Sequence, residues 1–385
     1  MSDADFWQRL NVEVSTRPRG GPRRIIRFAS RTAYEQCIRQ WTDLLKELPA
    51  LSKIRHLGII HAISCPLGSG FKPGKLPGDL TIEEDFLIRV HSPIGLNPRP
   101  TSSPSSKFQP VPWGVRQTRA PNIWPRATGK RIKIGVIDTG IDYHHPDLRG
   151  SISQGINMVH PSMLPHDDNG HGTHISGTIA ASGSQGGMMG IAPNATIHPV
   201  KAFDHNGTAY VSHIIAGIDW CVRHRMDIIN MSFGMRQYSG SLNDAVRRAH
   251  QAGIVVVASS GNDGKRADVD YPARFPKTIS VGATTRTNRI APFSNRGKTI
   301  DIYAPGEKIQ STWLNGKYNE LSGTSMATSH VTGVIALMKE ARPDLTPDDI
   351  KTALRSSAGS IRSSTANTVI RRGLNALRVM RYLSK

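Results

Sequence analysis

From about residue 113 onward, short apolar runs rich in β-branched residues alternate with helical stretches, and this alternation limits the fold more than any other feature of the chain. RIKIGVID, TIHPVKAF, MDIINMSF, GIVVVASS and TISVGAT read as strands. Strands this uniformly apolar suit a parallel sheet buried on both faces, not one with a wet side. Between or after them lie GTHISGTIAAS, VSHIIAGIDWCVRHR, LNDAVRRAHQAG and TSHVTGVIALMKEA, which have helical apolar spacing. Near the end, LTPDDIKTALRSSA places Thr346 at a helix cap, Pro347 at the first position and acids in the first turn. The expected class is α/β: a mostly parallel sheet with helices on both faces, preceded by a small α+β domain.

That smaller domain is expected over 23–92, after an N-terminal extension over 1–22. RRIIRFAS reads as a strand, and Ser30 caps a helix from Arg31 to about Leu48 with Tyr34, Cys37, Ile38, Trp41, Leu44 and Leu45 on one face. HLGIIHAIS and DFLIRVH read as further strands, with PLGSGFKPGKLPGDL as a loop between them. The basic cluster RPRGGPRR, at 17–24, reads as a solvated tail. Residues 93–110 are rich in Pro and Ser and form a linker open to proteolytic nicking. The large domain then occupies 111–385.

The chain has 385 residues and a net charge of +20. Such a surface attracts acidic partners at low salt. A specific nucleic-acid binder is not expected, because no basic helix interleaves aromatics with Arg and aromatics are only 6% of residues. The three cysteines, Cys37, Cys65 and Cys221, are too scattered and odd in number for a disulfide framework or a CxxC metal site. The start, MSDADFWQRLNVEV, has no apolar h-region, so no signal peptide is expected. No apolar run reaches membrane-spanning length. These features point to a cytoplasmic protein, or to one that leaves the cell by a leaderless route.

In an open α/β sheet, ligands bind beyond the carboxyl ends of the strands. Asp138 ends KIGVIDTG, Asn262 follows GIVVVASSG, His171 lies in the Gly-rich DDNGHGTHISGT, and Ser325 opens an apolar helix in LSGTSMATSHVTGVIALMKEA. Each has an ordinary structural role open to it: a turn Asp, a loop His, a capping Ser. His171 and His174 could suggest a metal pair, but no Glu lies between them and no third ligand is evident. It is the four together, each at the end of an expected strand or helix, that point to chemistry.

VIDTGID, NGHGTHISGT, SSGN and GTSMATSHV, in that order, resemble the motifs of the subtilases, the subtilisin-type serine proteases, over roughly 110–360. The resemblance implies that Asp138 orients the base, His171 is the base and Ser325 is the nucleophile. Asn262 then supplies the oxyanion-hole side chain beside the Ser325 backbone N–H. A serine hydroxyl attacks an amide only when a base takes its proton, and the oxyanion donors meet charge that appears in the transition state. Two departures stand out. Ser329 occupies the place of the family's proline, and Ile175 and Ser176 stand where Val and Ala are commoner.

The resemblance further implies a peptide groove. Its first pocket is walled by Ser232, Phe233, Gly234, Ala258, Ser259, Ser260 and Gly261, and an apolar pocket further along is lined by Val211, Ile214 and Phe233. Substrate would add a strand to SFG and to GTA at 207–209. Large apolar residues before the cut are expected, with Asp263 at the rim able to tolerate a basic one. A structural calcium ion would take Gln109, Asp147, Ser182, Ser184, Gly186 and Met188. The 23–92 domain resembles an inhibitory propeptide, making the chain a self-processing zymogen. The expected cut lies between Ile94 and Pro110, with the bond after Phe108 favoured. The competing reading, a catalytically silent relative serving as a binding module, would be expected to lack one of the triad residues.

Overall fold

The computed structural model describes residues 3–17, 21–68, 70–71, 80–91, 111–264, 268–363 and 368–384. A nine-stranded sheet runs, from edge to edge, through Gly359–Arg362, Val369–Gly373, Ile302–Pro305, Ile279–Thr284, Val255–Ser259, Ile228–Met231, Lys133–Asp138, Thr196–Lys201 and Ile156–Asn157. Neighbours are parallel except for the antiparallel pair Gly359–Arg362 and Val369–Gly373. Strand order reverses at Lys133–Asp138. Ile156–Asn157 and Thr196–Lys201 lie on one side of it, and Ile228–Met231 and the later strands lie on the other. The carboxyl end of Lys133–Asp138 is therefore a topological switch point, where such sheets open a crevice.

The strands alternate their side chains between two cores. Val255 and Val257 face the helices His171–Ala180, Thr324–Ala341 and Pro347–Ser356. Val256 and Ala258 face Val211–Arg223 and Gly240–Gln251. Fully burying one such side chain is worth about 1.5–3 kcal/mol, so both helix layers are held chiefly by apolar area. The Pro347–Ser356 helix begins with a capping box in which Thr346 and Asp349 satisfy each other's backbone. No helix among the described residues is long and apolar enough to cross a membrane.

The N-terminal unit is a four-stranded antiparallel sheet in the order Arg55–Leu57, Ala62–Pro66, Arg23–Phe28, Leu80–Glu84. Ile25 packs with the Val211–Arg223 and Gly240–Gln251 helices of the large unit, whereas its neighbour Ile26 packs on the unit's own helices. Ser30 caps Arg31–Leu44 by accepting from the Ala33 amide. That helix stops short of Leu48, and Pro49–Lys53 follows as a 3-10 turn. The N-terminal extension contains a helix, Asp3–Ser15, which buries Phe6, Trp7, Leu10 and Val14 in the unit's core. Arg23 and Arg24 are not tail residues but open the first strand, and Arg23 Nε donates to Asp85 Oδ2 at 3.2 Å.

Candidate active site

The crevice is built from strand ends. The register pairs Met231 with Ile137, so Ser232 follows its strand alongside Asp138. Ser325 is the second residue of the Thr324–Ala341 helix, and its Oγ donates to the Ser232 carbonyl at 3.0 Å. Inside that helix Ser329, in the place of a proline, donates to the Ser325 carbonyl at 3.0 Å, and the helix continues unbroken. Thr332 ties the helix to the sheet through Asn230 Oδ1 at 2.8 Å.

His171 opens the next helix, and its Nδ1 lies 2.7 Å from Asp138 Oδ1. Both residues are buried, and His171 Nε2 has no hydrogen-bond partner among the described residues. Burial opposes charging of the ring, but the Asp138 carboxylate outweighs it by charge and by hydrogen bond. With Asp167 adding to the effect, the His171 pKa lies above the ordinary imidazole value. The carboxylate fixes Nδ1 as the protonated nitrogen and leaves Nε2 as the basic one. His174, one turn on, hydrogen-bonds the Ile309 carbonyl through Nε2 at 3.0 Å, and burial holds its pKa down at about 3.

Asp167 escaped the sequence reading. Its carboxylate accepts from the Thr139 hydroxyl at 2.8 Å, from the amides of Asn169 (3.0 Å), Gly170 (2.9 Å) and Thr173 (2.9 Å), and from the Thr173 hydroxyl (2.6 Å). It thereby fixes the turn that delivers His171 to Asp138. Asn262 is oriented from the nucleophile's own helix: its Oδ1 accepts from the Thr324 amide at 2.9 Å and hydroxyl at 2.8 Å. With the acceptor end so engaged, the group it can present to a substrate is its Nδ2 donor.

The groove holds this chain's own strand. Leu87–Val90 lies antiparallel between Thr208–Tyr210 and Phe233–Gly234, pairing Ile88 with Ala209, Arg89 with Gly234 and Val90 with Phe233. Ile88 is buried in one cluster with Val211, Ile214 and Phe233, the residues expected to line the apolar pocket. One step along, His91 enters the first pocket. Its Nδ1 lies 2.8 Å from Ser259 Oγ and its Nε2 lies 3.0 Å from Asp270 Oδ2. The pocket is narrow. A Cβ on Gly234 would strike the His91 ring, and a Cβ on Gly261, at φ 105°, would strike Asp270. Of the other expected walls, Ala258 pairs with Met231 in the sheet core, and Ser260 binds Val281 and Asp270 through its backbone.

The residue seated in the first pocket is His91; Phe108, like the rest of 93–110, lies outside the described residues. The floor of the pocket carries Asp270, so it is not a purely apolar slot, while Asp263 at the rim is paired with Arg236 at 2.7 Å.

The N-terminal unit also supplies carboxylates to two helix starts. Asp85 Oδ1 accepts from the Ser212 amide at 2.9 Å, where the Val211–Arg223 helix has no side-chain cap of its own. Glu83 accepts from the Ser241 amide at 3.0 Å at the start of Gly240–Gln251. Anionic groups are favoured at such ends because the first amides lack partners within the helix.

For calcium, Gln109 lies outside the described residues. Asp147 is buried, and its Oδ2 accepts from the Met188 amide and the Tyr318 hydroxyl, each at 2.8 Å. Its Oδ1 has no hydrogen-bond partner among the described residues. Burial pushes its pKa up, against those two hydrogen bonds. Ser182 Oγ meets Ser184 Oγ at 2.7 Å in the loop folded over it. An orphaned buried carboxylate oxygen fits a cation. Among the described residues no group of three or more His, Cys, Asp or Glu could hold a metal, so the remaining ligands would be mainly carbonyls, which suits calcium.

A buried Asp–His pair, a serine at a helix start and an amide donor beside it, all at the switch point of a parallel sheet, define a hydrolase of the serine-nucleophile class. The model of the Subtilase family matches residues 129–375, and the chain belongs to that family. It is 42% identical to subtilisin E of Bacillus subtilis (strain 168) over 255 residues, 65% of this chain and 66% of that protein, so the match falls just short of two thirds of that relative's length. It is also 42% identical to the subtilisin of Bacillus pumilus over 261 residues, 66% of this chain and 94% of that one. The crystal structure of a cold adapted subtilisin-like serine proteinase superposes with a TM-score of 0.60 at 35% identity, covering 65% of this chain and 90% of the other.

Proposed function

We propose that the protein is a serine endopeptidase made as a self-processing zymogen. The observation that carries this is the Leu87–Val90 strand in the groove, which runs its following residue into a pocket beside Ser325. A strand bound this way is the posture of a peptide substrate, held by main-chain bonds and by side chains in alternate pockets. Ser325 Oγ turns from the Ser232 carbonyl to the acyl carbon, and its proton passes to His171 Nε2. Asp138 holds the ring and stabilises the imidazolium. The developing oxyanion meets Asn262 Nδ2 and the Ser325 N–H at the positive end of its helix. His171 then returns the proton to the leaving amine, and the same ring takes a proton from a water that attacks the ester and gives it back to Ser325 Oγ, which releases the new carboxyl end. After the cut, the N-terminal unit stays docked through the strand, Asp85 and Glu83, and so keeps the groove blocked.

Asp147, with the Ser184 hydroxyl and the carbonyls of Ser182, Gly186 and Met188, would hold a calcium ion that stiffens the loop after the His171 helix. The ion takes no part in the proton transfers. The proposed substrates are proteins and peptides. Casein hydrolysis that is abolished by a covalent serine reagent labelling Ser325 is the expected result. Absence of both hydrolysis and labelling, in a preparation freed of the N-terminal unit, would leave a silent binding module in its place.

A further inference from the structure

We propose that Asp270 sets the specificity of the first pocket: the protease cuts after cationic side chains, and its own processing bond is the one following His91. The inference rests on the endopeptidase reading above. The backbone register leads to the bond. Val90 N–H donates to the Gly207 carbonyl at 3.0 Å and Arg89 pairs with Gly234, so the strand is anchored on both sides up to the residue that enters the pocket. That residue is His91, which is 9% exposed. The peptide bond on its carboxyl side is the one the register delivers to Ser325.

The pocket chemistry favours a cation. Asp270 is itself buried, and its carboxylate has no side-chain partner other than His91 among the described residues. Its backbone is fixed at both ends, the amide on the Ser260 carbonyl at 3.0 Å and the carbonyl on the Arg274 amide at 3.0 Å, so it cannot readily swing out. Ser259 Oγ lies 2.8 Å from His91 Nδ1 and 3.5 Å from the Phe233 carbonyl, so polar groups line the pocket on two sides of the ring. The exposed Arg236 is paired with Asp263 at 2.7 Å, away from the pocket floor. An apolar side chain in this pocket would strip water from Asp270 and give it no partner, which is costly for a carboxylate. Lysine or arginine would reach deeper than histidine and meet the same oxygen.

Peptide substrates identical except for Lys, Arg, His, Phe or Leu before the cut test this, using processed enzyme of the wild type and of Asp270→Asn. The expected kcat/KM for Lys and Arg exceeds that for Phe and Leu in the wild type. That ratio should fall about 10- to 100-fold in Asp270→Asn, the range of a charge-assisted hydrogen bond. An unchanged ratio, or wild-type preference for Phe, overturns the inference while leaving the endopeptidase reading intact; hydrolysis of none of the peptides, with Ser325 unlabelled, overturns that reading instead. Self-processing gives a check that does not depend on the purified variant's stability. Earliest-time N-terminal sequencing should find Ser92. His91→Lys should process at least as fast as wild type, and His91→Phe should lag in the wild-type background but not in the Asp270→Asn background. A first terminus elsewhere, or equal rates for His91→Lys and His91→Phe, contradicts it.

Discussion

Asp138 Oδ1 lies 2.7 Å from His171 Nδ1 at the switch point of the sheet, while the opposite nitrogen of the same ring has no partner among the described residues. One edge of the imidazole is fixed and the other is kept open in a buried crevice, which is the condition a general base requires.

The pH dependence follows from that pair. Since the folded pKa of His171 is raised, the protonated ring is the form that Asp138 stabilises. Its contribution to stability is full below the ordinary imidazole pKa and is lost as pH rises through the raised value. Catalysis needs the neutral ring, so kcat/KM rises over the same interval in which this stabilisation fades. Asp138→Asn removes the charge and leaves burial to act alone, so the pKa should drop below the ordinary value and kcat/KM should fall by orders of magnitude. Proton NMR of His171 and a pH–rate profile on processed enzyme check both. A pKa that stays put in Asp138→Asn contradicts the assignment.

Asp167→Ala should destabilise the large unit by at least about 3 kcal/mol, because several buried donors lose their acceptor together and each costs about 1–3 kcal/mol. It should also reduce kcat/KM, as the turn before His171 loosens. Denaturant melts read the first effect and peptide hydrolysis the second; a melt within 1 kcal/mol of wild type, a threshold of roughly one ordinary hydrogen bond, would show that the network is dispensable.

Glu83→Gln combined with Asp85→Asn should shorten the lag between self-cleavage and the appearance of peptidase activity about tenfold, the order expected when buried charged contacts across an interface are lost. Both variants keep the strand in the groove. An unchanged lag would assign the docking to the strand and the apolar contacts of Ile25, Ile59 and Ile60 alone.

Chelating calcium should lower the thermal midpoint of the processed protein by about 5 °C or more, since the ion binds only the folded loop. Activity at low temperature should change little, because the Asp147 loop does not reach the proton-transfer groups. Equal midpoints with and without calcium would remove the ion from this account.

The sequence reading served best where local chemistry dictates local structure. Asp138 at the end of an apolar strand, Ser325 at the start of an apolar helix, and the Ser30 and Thr346 caps all sit where short-range pattern put them. The Asp3–Ser15 helix was also legible, since Phe6, Trp7, Leu10 and Val14 repeat at helical spacing. Asp167 and Asp270 were not legible, because their roles depend on what folding brings to them. Asp167 collects donors from Thr139 as well as from its own turn, and Asp270 faces His91 from far along the chain. Residues 93–110, the expected processing linker, lie outside the described residues, and His91 just before them is seated against Ser259 and Asp270.

With Ser325 as the nucleophile, the first substrate is this chain itself. The most direct test follows intact mass over time for the wild type and for Ser325→Ala under identical conditions. The wild type should split into two fragments, while Ser325→Ala should stay full length, folded, and with its N-terminal unit in place. Processing of Ser325→Ala at the wild-type rate, at the same bond, would contradict the account.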